Sequence, residues 1–193
     1  RNWSLTSTVA SVREIMQKDG INEKRISLIY PGTDTSRFNK LPDPRSLRRE
    51  FETEKNELII GCVGALVDHK DQRTLIRAFA SLPGAGTKVD RKIMPPVTLI
   101  LAGDGDRRQE YEDLARSQLH TEPGERSGGH RIIFAGFRAD IPALLALFGI
   151  YAMSSKEEGL GTSVLDAMAA GLPVVTTDGG GLGEMIDQGR GGL

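Results

Sequence analysis

Short apolar runs and helix-period segments alternate along this chain, and that alternation restricts its fold more than any other feature. Leu58-Ile59-Ile60-Gly61-Cys62-Val63-Gly64 has the near-continuous apolar character of a strand buried on both faces. Leu75, Ile76, Phe79 and Leu82 then recur at helical spacing within Asp71 to Leu82. The same unit returns when Val97 to Ala102 reads as a strand, closes on Gly103-Asp104-Gly105 and leads to a helix with the apolar face Tyr111, Leu114, Ala115 and Leu119. Two more rounds follow: Ile132 to Ala135 with a helix Ile141 to Phe148, then Ile150 to Met153 with a helix from Ser163 to Ala170. Pro173 to Thr177 adds a last strand. Buried strands joined through helices need right-handed crossovers, hence a parallel sheet covered on both faces. The expected fold is a doubly wound α/β domain. Ahead of it, Leu5 to Asp19 reads as a helix stopped by Gly20, Ile26 to Tyr30 as a strand ending in Pro31-Gly32, and Phe38 to Pro44 as a linker. Pro83 to Pro96 and Thr121 to His130 mix Gly, Pro and charge without periodicity and read as surface loops.

At 193 residues the chain can build one well-buried core. Its 25 basic and 26 acidic side chains nearly cancel, so bulk charge points to no nucleic acid, and any partner must be chosen by a site. Ile141 to Met153, the longest apolar stretch, is broken by Pro142 and Gly149 and falls short of the roughly 18 residues of a membrane span. A single cysteine, Cys62, allows no internal disulfide and no metal site of several cysteines, which fits a reducing cytoplasm. The near-zero charge leaves attachment to the inner face of a membrane undecided. The opening Arg1-Asn2-Trp3 and the ending Gly191-Gly192-Leu193 suggest a piece of something longer.

Ligands of an open parallel sheet bind where strand carboxyl ends turn into helix amino termini, because unpaired N–H groups and partial positive charge collect there. Four turns of this chain qualify. Gly64 to Asp71 sets Lys70 just before a helix and Gly64 at a strand end, an arrangement suited to a diphosphate and equally to a solvated turn lysine. His69 in that turn could act as a base, although a lone loop histidine is more often simply exposed. Gly103-Asp104-Gly105-Asp106-Arg107-Arg108 has Arg108 where a dinucleotide fingerprint needs glycine, so Asp106 is read chiefly as a helix cap. Gly136 to Asp140 contains Phe137 and Arg138. Ser154 to Asp166 is the richest turn. There, Gly159 to Ser163 follow Glu158 before a helix, and N–H groups from Gly159, Leu160, Gly161 and Thr162 could face a phosphate or a sugar hydroxyl. Glu158 and Asp166 offer carboxylates to vicinal hydroxyls, while Ser163-Val164-Leu165-Asp166 could equally be a capping box.

Glu158-Gly159-Leu160-Gly161 followed by Val164 to Val175 resembles the donor-site signature of the retaining glycosyltransferases of family 4, two-domain GT-B enzymes that move a sugar from a nucleotide donor. The resemblance runs in order from Ile29-Tyr30-Pro31-Gly32-Thr33-Asp34 to Phe38, through the Val63 to Lys70 turn, Leu101 to Gly105 and Phe134 to Phe137, to Gly179-Gly180-Gly181 and Glu184. It implies a Rossmann-like carboxy-terminal half (residues 41–193) that binds a UDP-, GDP- or ADP-sugar, preceded by the tail of an amino-terminal half and a linker (residues 1–40). It further implies that Lys70 neutralises the diphosphate and Glu158 contacts the donor sugar, the two catalytic positions. Asp166 would hold the ribose hydroxyls, and the main chain near Phe137 and Arg138 would meet the base. No cofactor or metal is expected for transfer, the acceptor would sit on the amino-terminal domain, and the chain alone would turn over poorly or not at all. Two departures from the family pattern matter: Ala65 stands where arginine is common, and Asp166 stands where glutamate is usual, one methylene shorter. The alternatives are a sugar-nucleotide epimerase on the same scaffold and a non-catalytic, flavodoxin-like nucleotide-binding module.

Overall fold

In the computed structural model, which describes residues 4–7, 9–30 and 32–186, the apolar runs become the strands of one parallel sheet. Pro31 and the two chain ends read above lie outside the described residues. The chain begins with β1 (Leu5–Ser7), α1 (Ala10–Lys18), β2 (Ile26–Leu28) and α2 (Arg45–Glu50). The repeating part follows as β3 (Leu58–Val63), α3 (Gln72–Ala80), β4 (Lys88–Val89), β5 (Lys92–Ile93), β6 (Val97–Ala102), α4 (Arg108–Leu119) and β7 (His130–Gly136). It ends with α5 (Ile141–Leu147), β8 (Ile150–Met153), α6 (Thr162–Ala169), β9 (Val174–Thr176) and α7 (Leu182–Met185). The main sheet runs β7-β6-β3-β8-β9, every pairing parallel. This is the doubly wound arrangement, with the order reversing between β3 and β8.

Alternate residues of the strands feed two separate cores, which explains why the strands read as unbroken apolar runs. Ile59, Ile100, Tyr151 and Val174 join Leu144 and Leu145 of α5 and Val164 and Ala167 of α6 on one face. Cys62, Leu99, Leu101 and Ile132 join Ile76 and Phe79 of α3 and Tyr111 and Ala115 of α4 on the other. Burial pushes the Cys62 thiol up to about 12, against a smaller opposing effect of Lys70. Among the described residues, no helix is long and apolar enough to cross a membrane.

The structure departs from the sequence reading at local features. Leu5 to Asp19 is not one helix: Leu5–Ser7 pairs in parallel with Ile26–Leu28. The Ser7 hydroxyl donates to the Val9 carbonyl, a local bond that competes with helix. α1 therefore starts at Ala10, and the Glu184 carboxylate accepts the Ala10 and Ser11 N–H groups at 2.8 and 2.9 Å. Burial disfavours the charge on Glu184, yet these helix N–H groups outweigh it and hold its pKa below the usual carboxylate range. Phe38, at the head of the linker reading, ends a 3₁₀ turn and is buried in the core that also holds Val164 and Ala167. α2 follows; its six residues are too few to show helical periodicity. The loop from Pro83 to Pro96 contains the antiparallel hairpin β4–β5, turned by Asp90 and Arg91, both with positive φ.

Candidate functional site

Sheet order decides which turns become neighbours. Because β3 and β8 flank the reversal, their outgoing connections lead to opposite faces, and a crevice opens between the turns at their carboxyl ends. One turn carries Lys70 and the other Glu158. Lys70 closes a 3₁₀ turn, Asp68–Lys70, and Asp71 then enters the left-handed region at φ 46°, a conformation aspartate tolerates better than most residues. Three hydrogen bonds stitch the turns together: Lys156 N–H to His69 O at 2.9 Å, and Ser154 Oγ to Asp71 O at 2.7 Å and to Lys70 O at 3.3 Å.

Within this crevice the Lys70 Nζ and Glu158 Oε2 form an ion pair, with side-chain exposures of 19% and 11%, and the Ser155 hydroxyl also donates to Glu158 Oε2 at 3.2 Å. At an effective dielectric near 20, unit charges about 4 Å apart attract by about 4 kcal/mol. A group carrying more negative charge than one carboxylate can therefore compete for the lysine. His69 is exposed and contributes its carbonyl rather than its ring to the turn.

The Glu158 loop is shaped from behind by the glycine turn 179–181. A Cβ at Gly179, Gly180 or Gly181 would collide with the carbonyl oxygen of Ser155, Glu158 or Gly159 respectively, and Gly180 also sits at φ 60°. Gly181 N–H donates to Glu158 O at 2.7 Å, and Thr177 Oγ1 to Ser155 O at 2.6 Å. Gly159, Leu160 and Gly161 keep N–H groups that have no hydrogen-bond partner among the described residues. Thr162 does not join them, because its N–H donates to Leu160 O at 2.8 Å. The sequence assigns no role to Thr177 or to the three glycines, and nothing short of tertiary contact reveals one.

A cleft of about 240 Å³ lies beside the crevice, between the carboxyl ends of β3, β6 and β7. Gly64, Ala65, Gly103, Phe137 and Arg138 are among its lining residues. Gly103, at φ 150°, lies so close to the Gly64 carbonyl that a Cβ there would overlap it. Phe137 is 82% exposed, whereas Arg138 is tied to Glu50 and Asp140 and stacks over Phe51 at 5.6 Å. Hydrogen bonding to Arg138, against some burial, lowers the Asp140 pKa. The Arg138 side chain is thereby occupied. Asp106 is not the cap expected of it; α4 starts after Arg107 with no side-chain cap, and Asp104 Oδ1 accepts the neighbouring Gly105 N–H instead.

Asp166 lies on α6, whose amino terminus likewise lacks a side-chain cap. The capping-box alternative therefore falls. Its Oδ1 accepts the Thr33 hydroxyl at 2.8 Å, from a segment 133 residues earlier. Tyr151 braces the site from below: its hydroxyl donates to Val63 O at 3.1 Å and accepts from Val63 N–H at 3.3 Å, and burial raises its pKa.

The chain is similar over 98% of its length to the Anabaena protein HepE, solved in complex with UDP and glucose, with 29% identity and a TM-score of 0.80, covering 48% of that chain. A second HepE structure, in complex with UDP-glucose, aligns with 28% identity and a TM-score of 0.80. These neighbours carry the GT-B glycosyltransferase fold, of which the present sheet is one Rossmann-like half. Mannosylfructose-phosphate synthase of Agrobacterium fabrum is 28% identical over 96% of this chain and 40% of its own length. A GDP-mannose-dependent phosphatidylinositol monomannoside mannosyltransferase of Mycolicibacterium smegmatis is 31% identical over 84% of this chain and 41% of its own length. The chain thus spans about two fifths of the curated relatives it matches. The family model described as glycosyl transferases group 1 matches residues 57–193, which takes in both turns of the crevice, and the chain belongs to that family.

Proposed function

We propose that this chain is the donor-binding part of a retaining glycosyltransferase of family 4 and takes a nucleotide-diphospho-sugar into the crevice between the β3 and β8 turns. The supporting observation is the convergence of Lys70 and Glu158 from two distant sequence positions into one pair at the point where the sheet order reverses. The HepE complexes with UDP and UDP-glucose add to it by likeness. The named relatives are transferases and synthases, which favours this reading over an epimerase or a non-catalytic module.

In this reading the diphosphate draws Lys70 from Glu158, because it carries the greater negative charge. Lys70 then neutralises the diphosphate, the freed Glu158 meets the donor sugar, and the N–H groups of Gly159, Leu160 and Gly161 face the sugar and phosphate. Asp166 receives the ribose hydroxyls, and the base enters the cleft at Gly64, Phe137 and Arg138, read by main chain. Departure of the nucleoside diphosphate builds negative charge on the leaving oxygen, so a placed cation and fixed N–H dipoles lower the barrier without requiring a metal. Residues 1–40 are read as the tail of an amino-terminal half and a linker, with the acceptor held by the remainder of that half.

Calorimetric titration of the chain with UDP, GDP and ADP, then with their sugar conjugates, tests this. One nucleotide should bind, and Lys70→Ala should weaken it by about 10- to 100-fold, as expected for a lost charge-assisted hydrogen bond. Glu158→Ala should cost affinity for the sugar conjugate beyond that for the nucleotide. Unchanged affinity in both variants overturns the site assignment.

A further inference from the structure

We propose that Thr33 is a positioning residue for nucleotide binding: its hydroxyl fixes the carboxylate of Asp166 so that one oxygen stays available to the ribose. The inference rests on the assignment of Asp166 to the ribose hydroxyls made above. A short aspartate in the second turn of a helix, as Asp166 is in α6, can rotate about its last torsion, which for carboxylates is broad and has roughly two-fold preference. An incoming diol must then freeze that rotation as it binds. Here the freezing is done in advance, because Asp166 Oδ1 accepts the Thr33 hydroxyl at 2.8 Å in a half-buried setting, and Oδ2 takes no hydrogen bond among the described residues.

Thr33 is itself held in place. Asp34 Oδ1 accepts the Ser36 N–H at 3.0 Å and caps the 3₁₀ turn Thr35–Phe38; Phe38 is buried in the core that also holds Val164 and Ala167, and its turn touches α6, the helix that carries Asp166. The chain therefore returns to α6 at two points, an apolar anchor at Phe38 and a polar contact at Thr33, and the anchor fixes the contact. A side chain one methylene shorter than glutamate reaches less far, and a fixed direction offsets that shorter reach.

The test uses whichever of UDP, GDP and ADP binds the chain most tightly, together with its 2′,3′-dideoxy counterpart, which lacks both ribose hydroxyls. Thr33→Val should weaken the ribonucleotide by about fivefold, the usual size of one lost neutral hydrogen bond. The dideoxy compound should bind Thr33→Val and the parent chain equally, and Thr33→Ser, which keeps the hydroxyl, should restore ribonucleotide affinity. Asp166→Asn separates the two layers of inference. If it loses ribonucleotide affinity selectively while Thr33→Val affects both nucleotides equally, or neither, the ribose assignment stands and the positioning role is overturned. If Asp166→Asn does not discriminate between the nucleotides, the ribose assignment fails and the proposal fails with it. A general loss of folding in Thr33→Val would lower both affinities together and would also fail to recover in Thr33→Ser.

Discussion

The two ends of the parallel sheet use the same chemistry, a carboxylate among cations, to opposite purposes. At the amino end Glu57, 4% exposed, accepts from Thr98 and pairs with Arg126 at 2.7 Å, with Arg131 3.7 Å away. Arg131 in turn donates to Thr98 Oγ1 at 3.0 Å and to the carbonyls of Phe51 and Glu52. His130 closes the same end, its Nδ1 accepting from Val97 N–H at 3.2 Å and its Nε2 facing Pro83 O at 2.8 Å. Each side chain is spoken for several times over. At the carboxyl end Lys70 and Glu158 hold chiefly each other, beside N–H groups that have no described partner. A closed network fixes strand ends, whereas an open pair beside unpaired donors is what a ligand can enter.

The sharpest challenge to this contrast is Glu57→Ala, which leaves buried Arg131 without its carboxylate. A stability loss of about 3–5 kcal/mol in urea titration is expected, as for a buried pair broken on one side, with nucleotide affinity unchanged in the folded fraction. A loss of nucleotide affinity at full folding would erase the division between the two ends. The same group gives a pH signature. Burial alone would raise the Glu57 pKa, but hydrogen bonds from Arg126 and Thr98 outweigh it and lower the folded-state value. Its stabilisation is thus present above the unfolded pKa of about 4.3 and is lost as pH falls through the lower folded value. Glu57→Gln should flatten that acid limb of stability against pH.

Gly103→Ala comes next in size. Strain at its positive φ and the overlap with the Gly64 carbonyl should cost about 1–3 kcal/mol by thermal unfolding, and nucleotide affinity should fall with it because the cleft is lined by both residues. If stability falls while affinity holds, the cleft is not where the base rests. Smallest is Ser154→Ala, which removes the hydroxyl that bonds both Asp71 O and Lys70 O and leaves only the Lys156 N–H to His69 O bond of the three between the Lys70 and Glu158 turns. About 0.5–1.5 kcal/mol of stability should be lost, and hydrogen exchange should rise at Lys156 rather than in β3. Faster exchange in β3 instead would show that the two turns are not an independently held unit.

The strands and the helices that follow them were legible because their residues carry a period. Val97–Ala102 and Ile150–Met153 have the bounds the apolar runs suggested. Elements without a full period escaped: Leu5–Ser7 forms a strand only against Ile26–Leu28, and Arg45–Glu50 is too short to display a face. At the site, the sequence named Lys70 and Glu158 because charge in a glycine-bearing turn ahead of a helix has a recognisable chemistry, and Asp166 as a carboxylate suited to vicinal hydroxyls. Thr33 stands in a stretch that carries the family resemblance, but its contact with Asp166 and the shaping role of Thr177 are not legible there, because their partners are distant in the chain.

By itself, then, the sequence determined the class of fold and the inventory of charged and glycine-rich turns, since periodicity and turn chemistry act between near neighbours. Only the tertiary structure decided which turns meet. The order β7-β6-β3-β8-β9 places the reversal between β3 and β8 and so brings Lys70 to Glu158, while the return of the chain over α6 brings Thr33 to Asp166. Both are outcomes of how covered sheet faces pack, a matter of contacts between residues far apart in the chain.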